Sequence, residues 1–261
     1  MKNLVFYIWV CCLAVGQALA QQPFQGVVAH RAGIYEDPAF PENSVAALRK
    51  SAALGVNMIE IDVLLSKDHQ VVVNHDHDFQ GLDIASSTFQ DLKAKGKLSN
   101  GEQLSSLEAY IREIAKHKGL GLLIDIKRSN VSQAWDALTG QYVAEIIRKT
   151  QSESFVAVIA PMFPALVKIK IDNPKVKIYY IGVDYSPETL KVLGFDGVNL
   201  QYKRYQSEYD MKALQDAGLA VGAYVVDDAA IMNTLLDQQV DFITTNKPWI
   251  LMDVLKTRKQ K

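Results

Sequence analysis

The chain predicts a (β/α)8 barrel with an inserted loop or small subdomain after its second strand. Short β-branched runs alternate with amphipathic helical stretches from about residue 26 onward. Eight strand–helix units of that kind fill a chain of 261 residues. One connection, residues 66–105, is longer than barrel loops usually are. A doubly wound open sheet is the runner-up, but no glycine-rich dinucleotide fingerprint follows any strand.

Taken in order, residues 1–20 stand apart from that pattern. Lys2 precedes an apolar run from Leu4 to Gly16, and Ala18-Leu19-Ala20 offers the small residues a signal peptidase reads. Residues 1–20 are therefore expected to be a secretory signal, and residues 21–261 one domain. The apolar run is short for a membrane span, which needs ~20 residues, so no stable membrane anchor is expected. Cys11 and Cys12 lack the small residue that precedes a lipidated cysteine, and both fall in the signal. The mature chain then has no cysteine, which excludes disulfides, thiolate nucleophiles and cysteine-bound zinc. Secretion without disulfides points to a bacterial periplasm. The formal net charge of −1 gives no basic excess for nucleic acid or an anionic membrane.

Strands are expected at 26–30, 58–64, 121–127, 155–160, 177–183, 197–201, 220–226 and 241–245. Helices are expected at 44–54, 106–118, 132–150 and 210–217, among others. Asn43 or Ser44 and Ser186 supply polar starts, and Gly55 and Gly218 supply stops. The long connection reads as a hairpin, with residues 71–74 as its second strand, followed by a polar loop on the catalytic face of the barrel.

Chemistry concentrates at the strand ends. Glu60 and Asp62 lie two apart on a strand and so share one face. Two buried carboxylates need a cation or a proton between them, and a hard divalent ion, Mg²⁺ or Ca²⁺, takes such oxygens. Asp125 and Lys127 repeat the pattern on the next strand. Asp125 completes an oxygen triad or pairs with Lys127, and Lys127 meets either a phosphate or that carboxylate. His30 ends the first strand, with Arg31 beside it as a fork for a phosphate oxyanion. His75 ends the hairpin, next to Asp76. Two histidines around a carboxylate pair suit acid–base work. His77 shares the face of His75 and is its rival. His69 in a turn, His117 at a helix end and the lysines at 93, 95 and 97 read as ordinary surface residues.

These residues resemble the glycerophosphodiester phosphodiesterase family, whose pattern runs His-Arg-Gly, Pro-Glu-Asn-Thr, Glu-x-Asp, His-Asp and Glu-x-Lys. The corresponding stretches are His30-Arg31, Pro41-Glu42-Asn43-Ser44, Glu60-Ile61-Asp62, His75-Asp76 and Asp125-Ile126-Lys127. The resemblance implies a TIM barrel in which His30 and His75 do acid–base work. It also implies that Glu60, Asp62 and Asp125 hold one divalent metal, with Arg31 and Lys127 on the phosphate. The implied reaction releases glycerol 3-phosphate and an alcohol from a small glycerophosphodiester. It leaves open the alcohol, Mg²⁺ against Ca²⁺ and which histidine is the acid. A lysophospholipase D or sphingomyelinase D-like barrel is the alternative enzyme, and a barrel that only binds its ligand is the non-enzyme alternative. Ala32 intrudes in the first motif and is expected to alter only its loop, while Asp125 shortens one ligand by a methylene. Asp227 stands where asparagine is common and Asn246 where aspartate is common, changes expected to bear on the alcohol side of the pocket.

Overall fold

The computed structural model describes residues 26–259, so the expected signal lies outside the described residues. In chain order the strands are β1 (Gly26–Ala29), β2 (Met58–Leu65), β3 (Val71–Val73), β4 (Asp78–Phe79), β5 (Leu82–Asp83), β6 (Gly121–Ile126), β7 (Val156–Ala160), β8 (Lys177–Tyr180), β9 (Gly197–Gln201), β10 (Ala220–Tyr224) and β11 (Phe242–Thr245). Eight of them, β1, β2 and β6 to β11, pair in parallel, and β1 closes the ring by pairing with both β11 and β2. This is the expected (β/α)8 barrel.

Helices cover the outside: α1 (Val45–Leu54), α2 (Phe89–Lys95), α3 (Leu107–Ile114), α4 (Gln133–Thr150), α5 (Phe163–Asp172), α6 (Pro187–Val192), α7 (Arg204–Ser207), α8 (Met211–Asp216), α9 (Ala229–Asp237) and α10 (Pro248–Lys259). Their starts follow local chemistry. Ser44, Ser106, Ser132 and Ser186 each accept a backbone N–H from the first turn. Gly55 ends α1 at φ 83°, where a side chain would be strained. The main core lies between helices and barrel, where alternate strand residues such as Ile59, Ile61, Ile124 and Val158 are fully buried. A second cluster inside the barrel, with Val28, Met58, Leu123, Tyr179 and Phe242, plugs its lower half.

Some bounds shorten, with β8 ending at Tyr180 and not 183, β10 at Tyr224 and not 226, and α3 at Ile114 and not 118, and two further expectations change. The first strand stops one residue early, because Arg31 and Ala32 adopt φ 50° and 67° and end the extended run at Ala29. Of the two forms expected for the connection after β2, the small subdomain is the one observed, and not the polar loop. It holds the β4–β5 ribbon, helix α2 with a Thr88–Asp91 capping box, and its own apolar cluster of Leu64, Val72, Phe79, Ile84, Leu92 and Leu104. It is a small subdomain built onto β2 through the antiparallel pairing of β3.

Candidate active site

β2 is buried along its whole length, and Glu60 and Asp62 both point into the barrel mouth. Parallel pairing sets Asp62 directly opposite Asp125 of β6. One oxygen from each of Glu60, Asp62 and Asp125 falls within 4.8 Å of the others. Burial and the two neighbouring carboxylates push the Glu60 carboxyl well above its usual range. Burial likewise raises Asp125 to about 6, against the pull of Lys127. Burial also opposes ionisation of Asp62, but Lys127 and Asn43 outweigh it and hold that carboxyl low.

Lys127 lies 2.6 Å from Asp125 Oδ2 and 2.7 Å from Asp62 Oδ1. The open choice for Lys127 falls, in this structure, to the carboxylates, which raise its ammonium pKa in spite of burial. Positive charge is still short: Arg31 is shared with Glu42, and Asp125 Oδ1 is buried with no hydrogen-bond partner. Three hard oxygens with an orphaned lone pair among them fit a divalent cation.

The Pro41–Ser44 stretch supports this site from below. Glu42 grips the Arg31 guanidinium at 3.0 and 3.1 Å. Asn43 donates its amide to Asp62 Oδ2 at 3.0 Å and accepts the Asp62 backbone N–H at 3.2 Å. Ser44 caps α1. The left-handed turn at Arg31 aims its N–H at Glu60 Oε2, 2.7 Å away, and brings Arg31 Nε within 3.4 Å of Asp62. The Ala32 departure therefore sits in a turn that holds Glu60 and not in an idle loop.

His30 donates Nδ1–H to Asn246 Oδ1 at 2.7 Å. The Asn246 amide is oriented by Asp227, which accepts from Asn246 Nδ2 at 2.7 Å and Asn246 N at 2.8 Å, and from Thr245 Oγ1 at 2.9 Å. This chain of bonds leaves His30 Nε2 as the lone-pair nitrogen, 4.0 Å from Glu60 Oε2. Burial lowers the His30 pKa from its ordinary 6.5. Asp227 and Asn246, expected on the alcohol side, instead buttress His30. Nothing in a linear reading links residues just after β1, after β10 and after β11, so that relation was invisible before folding.

His75 follows β3 and pairs its Nδ1 with Asp76 at 2.7 Å. His77 lines a small crevice with Leu64, Ile84, Trp135 and Lys127, whereas His75 lines the cavity that holds the carboxylates. His69 bonds the Tyr142 hydroxyl at 2.9 Å, and His117 lies 3.9 Å from Glu113. His30, Arg31, Glu60, His75, Asp125 and Lys127 all line one cavity of about 410 Å³, with Asp62 fully buried beside it. Its wall is apolar (Ile159, Pro161, Ile181, Val225), and Asn199, Thr244 and Tyr224 complete it. Asn199 and Thr244 were missed; their only signal is a polar residue at an inward strand position.

The model of the glycerophosphoryl diester phosphodiesterase family matches residues 30–249. The chain belongs to that family. A glycerophosphodiester phosphodiesterase from Parabacteroides distasonis is 31% identical and superimposes with a TM-score of 0.84, over 90% of this chain and 99% of its own. YhdW of Bacillus subtilis is 26% identical over 240 residues, spanning 85% of this chain and 94% of YhdW. An Oleispira antarctica phosphodiesterase in complex with the product sn-glycerol-3-phosphate, 23% identical, shares the barrel at a TM-score of 0.75, over 89% of this chain and 97% of its own. Glycerophosphoryl diester phosphodiesterase membership thus rests on a match that starts at His30 and spans every residue of the cavity.

Proposed function

We propose that this enzyme hydrolyses small glycerophosphodiesters to glycerol 3-phosphate and an alcohol, using one divalent metal, Mg²⁺ or Ca²⁺, and two histidines. The observation that carries the reading is the convergence of Glu60, Asp62 and Asp125 with His30 and His75 around one cavity. A dialkyl phosphodiester resists attack because it is anionic and its leaving alkoxide is poor. A divalent ion on the three carboxylates supplies Lewis-acid stabilisation of the phosphoryl oxygens. Arg31 and Lys127 add positive charge beside it.

His30 takes the base role in this reading. Its Nδ1–H is committed to Asn246, so Nε2 is free to accept the proton of a water or of a glycerol hydroxyl. The oxygen so freed attacks phosphorus, and the bond from phosphorus to the alcohol oxygen breaks. His75, held by Asp76, protonates that oxygen. If a glycerol hydroxyl is the nucleophile, a cyclic diester forms first and water opens it with the histidine roles reversed.

A second reading has support from the wall of the cavity. Ile159, Pro161, Ile181 and Val225 offer an apolar path for an acyl chain. A human lysophospholipase D is 35% identical over 66 residues, 25% of this chain. Lysophospholipids are themselves glycerophosphodiesters with one acyl group, so both readings use the same chemistry. We further propose that the enzyme acts after secretion, in a bacterial periplasm, on the strength of the apolar N-terminal run and the Ala18-Leu19-Ala20 site. Among the described residues no helix is long and apolar enough to cross a membrane.

The deciding assay measures glycerol 3-phosphate released from glycerophosphocholine and choline released from lysophosphatidylcholine, each with Mg²⁺, Ca²⁺ or EDTA. Release is expected with metal, to fall to background in EDTA, and to drop at least about 10²-fold in His30→Ala and His75→Ala. Full activity in EDTA or in both variants would refute the mechanism.

A further inference from the structure

The lower part of the cavity carries polar atoms for which the reaction, as described, has no use. Asn199 and Thr244 are 1% and 2% exposed, and both line the cavity that holds the carboxylates and histidines. Neither Oδ1 nor Nδ2 of Asn199, nor Oγ1 of Thr244, has a hydrogen-bond partner among the described residues. Buried polar groups are nearly always paired, so three orphaned atoms in one cavity mark a place where something else supplies the bonds.

The fold makes room for this pair. Asn199 stands opposite Gly222 in the β9–β10 register. A Cβ on Gly222 would come within 2.8 Å of Asn199 Oδ1 and 2.2 Å of Phe242 Cζ, so the missing side chain lets both neighbours occupy the barrel axis. Beneath them Phe242 and Tyr179 pack edge to face at 5.3 Å and seal the barrel. Thr244 pairs with Val28, two residues before His30 on the adjacent strand. It therefore lies roughly 6 Å down the barrel from the histidine level. That is about the span of a three-carbon polyol attached to a phosphate held at the charged rim.

The chemistry of the orphans selects their ligand. An amide presents both donors and an acceptor, and a threonine hydroxyl does the same. An ammonium could satisfy only the acceptors, and a carboxylate only the donors. A hydroxyl satisfies both kinds at once. We propose that Asn199 and Thr244 form a hydroxyl-reading floor that takes the free hydroxyls of the substrate's glycerol moiety, leaving the second alcohol of the diester towards the open end. This assignment rests on the glycerophosphodiesterase reading of the same site.

The test compares two ligands that differ only in hydroxyls, sn-glycerol 3-phosphate and n-propyl phosphate, by calorimetry in the presence of Mg²⁺. The unaltered enzyme is expected to favour glycerol 3-phosphate at least about 10-fold. Thr244→Val, which keeps the side-chain shape, should cut that ratio several-fold, and Asn199→Leu should bring it close to one. Thr244→Val should fold with undiminished Tm, because it removes a buried hydroxyl that has no partner. A ratio near one in the unaltered enzyme would overturn the floor, as would a ratio that Thr244→Val leaves untouched; the orphaned atoms would then be serving ordered water. Turnover of glycerophosphocholine by the unaltered enzyme is measured alongside. Its absence counts against the reaction, whereas the affinity ratio judges the floor alone.

Discussion

Asp227 accepts three hydrogen bonds, two of them from Asn246, and Asn246 passes the resulting orientation on to His30. The amide cannot flip without placing its NH₂ against His30 Nδ1–H and its oxygen against a carboxylate. His30 is therefore kept in one tautomer by residues that never reach the cavity wall. Replacing Asn246 by Ala frees the imidazole to rotate and to change tautomer. The expected result is a loss of roughly 10–10² in kcat with little change in KM, since substrate binding does not use Asn246. Steady-state kinetics on glycerophosphocholine measure this directly. A change confined to KM would place Asn246 on the substrate side after all.

The inserted subdomain carries His75, and its apolar cluster is separate from the barrel's main core. The loop that bears His75 is fastened at its root. The Asn74 backbone N–H donates to the Asp62 carbonyl at 3.0 Å, and its side-chain amide spans the carbonyls of Asp76 and Asp78 at 2.7 and 3.1 Å. Beyond that root, the β4–β5 ribbon rests on Ile84 and Leu92. Leu92 is fully buried there. Leu92→Ala is expected to cost roughly 2–4 kcal/mol of stability by opening a cavity. It should also lower kcat while leaving divalent-ion affinity intact, because the three carboxylates stand on barrel strands. Thermal unfolding, turnover and metal titration of the one variant separate these effects; unaltered turnover would show that His75 needs only the Asn74 root.

At the level of the whole molecule, folding drives three carboxylates together in the barrel mouth, and its stability should answer to pH and to metal. The sign follows from Asp125, raised from 3.8 to about 6. Between those values the unfolded chain has lost its proton while the folded chain keeps it, so stability falls as pH rises and levels off above about 6. Two units correspond to at most about 3 kcal/mol. Asp125→Asn mimics the protonated acid, so in EDTA the variant should gain on the parent protein as pH rises from about 4 to 6. The comparison between the two cancels the opposite trend from His30, whose lowered pKa favours the fold at higher pH. A divalent ion at ~100 times its Kd should add about 2.7 kcal/mol, or very roughly 5–10 °C in Tm for a chain of this size, and should reverse the advantage of the variant. Melting curves against pH with EDTA and with Mg²⁺ or Ca²⁺ test both; a parent protein indifferent to pH and metal would mean that Lys127 alone neutralises the triad.

The barrel was legible in the order of residues because strand and helix periods are local properties. Side-chain alternation on β2 and β6 was enough to send Glu60, Asp62, Asp125 and Lys127 inward. The Pro41–Ser44 stretch could be seen as a motif, but its work could not: that Glu42 meets Arg31 and Asn43 meets Asp62 depends on how α1 returns to β2. The helix inside the insertion was missed because its period is brief and its core is assembled from six separated residues. Three matters were decided only by the tertiary structure. They are the placing of His75, and not His77, in the carboxylate cavity, the Asp227–Asn246 support of His30, and the orphaned pair Asn199 and Thr244 in the cavity. Each depends on which strands close next to one another and at what register. A chain's order specifies the chemistry each strand can carry, whereas closing the ring specifies which of those groups meet.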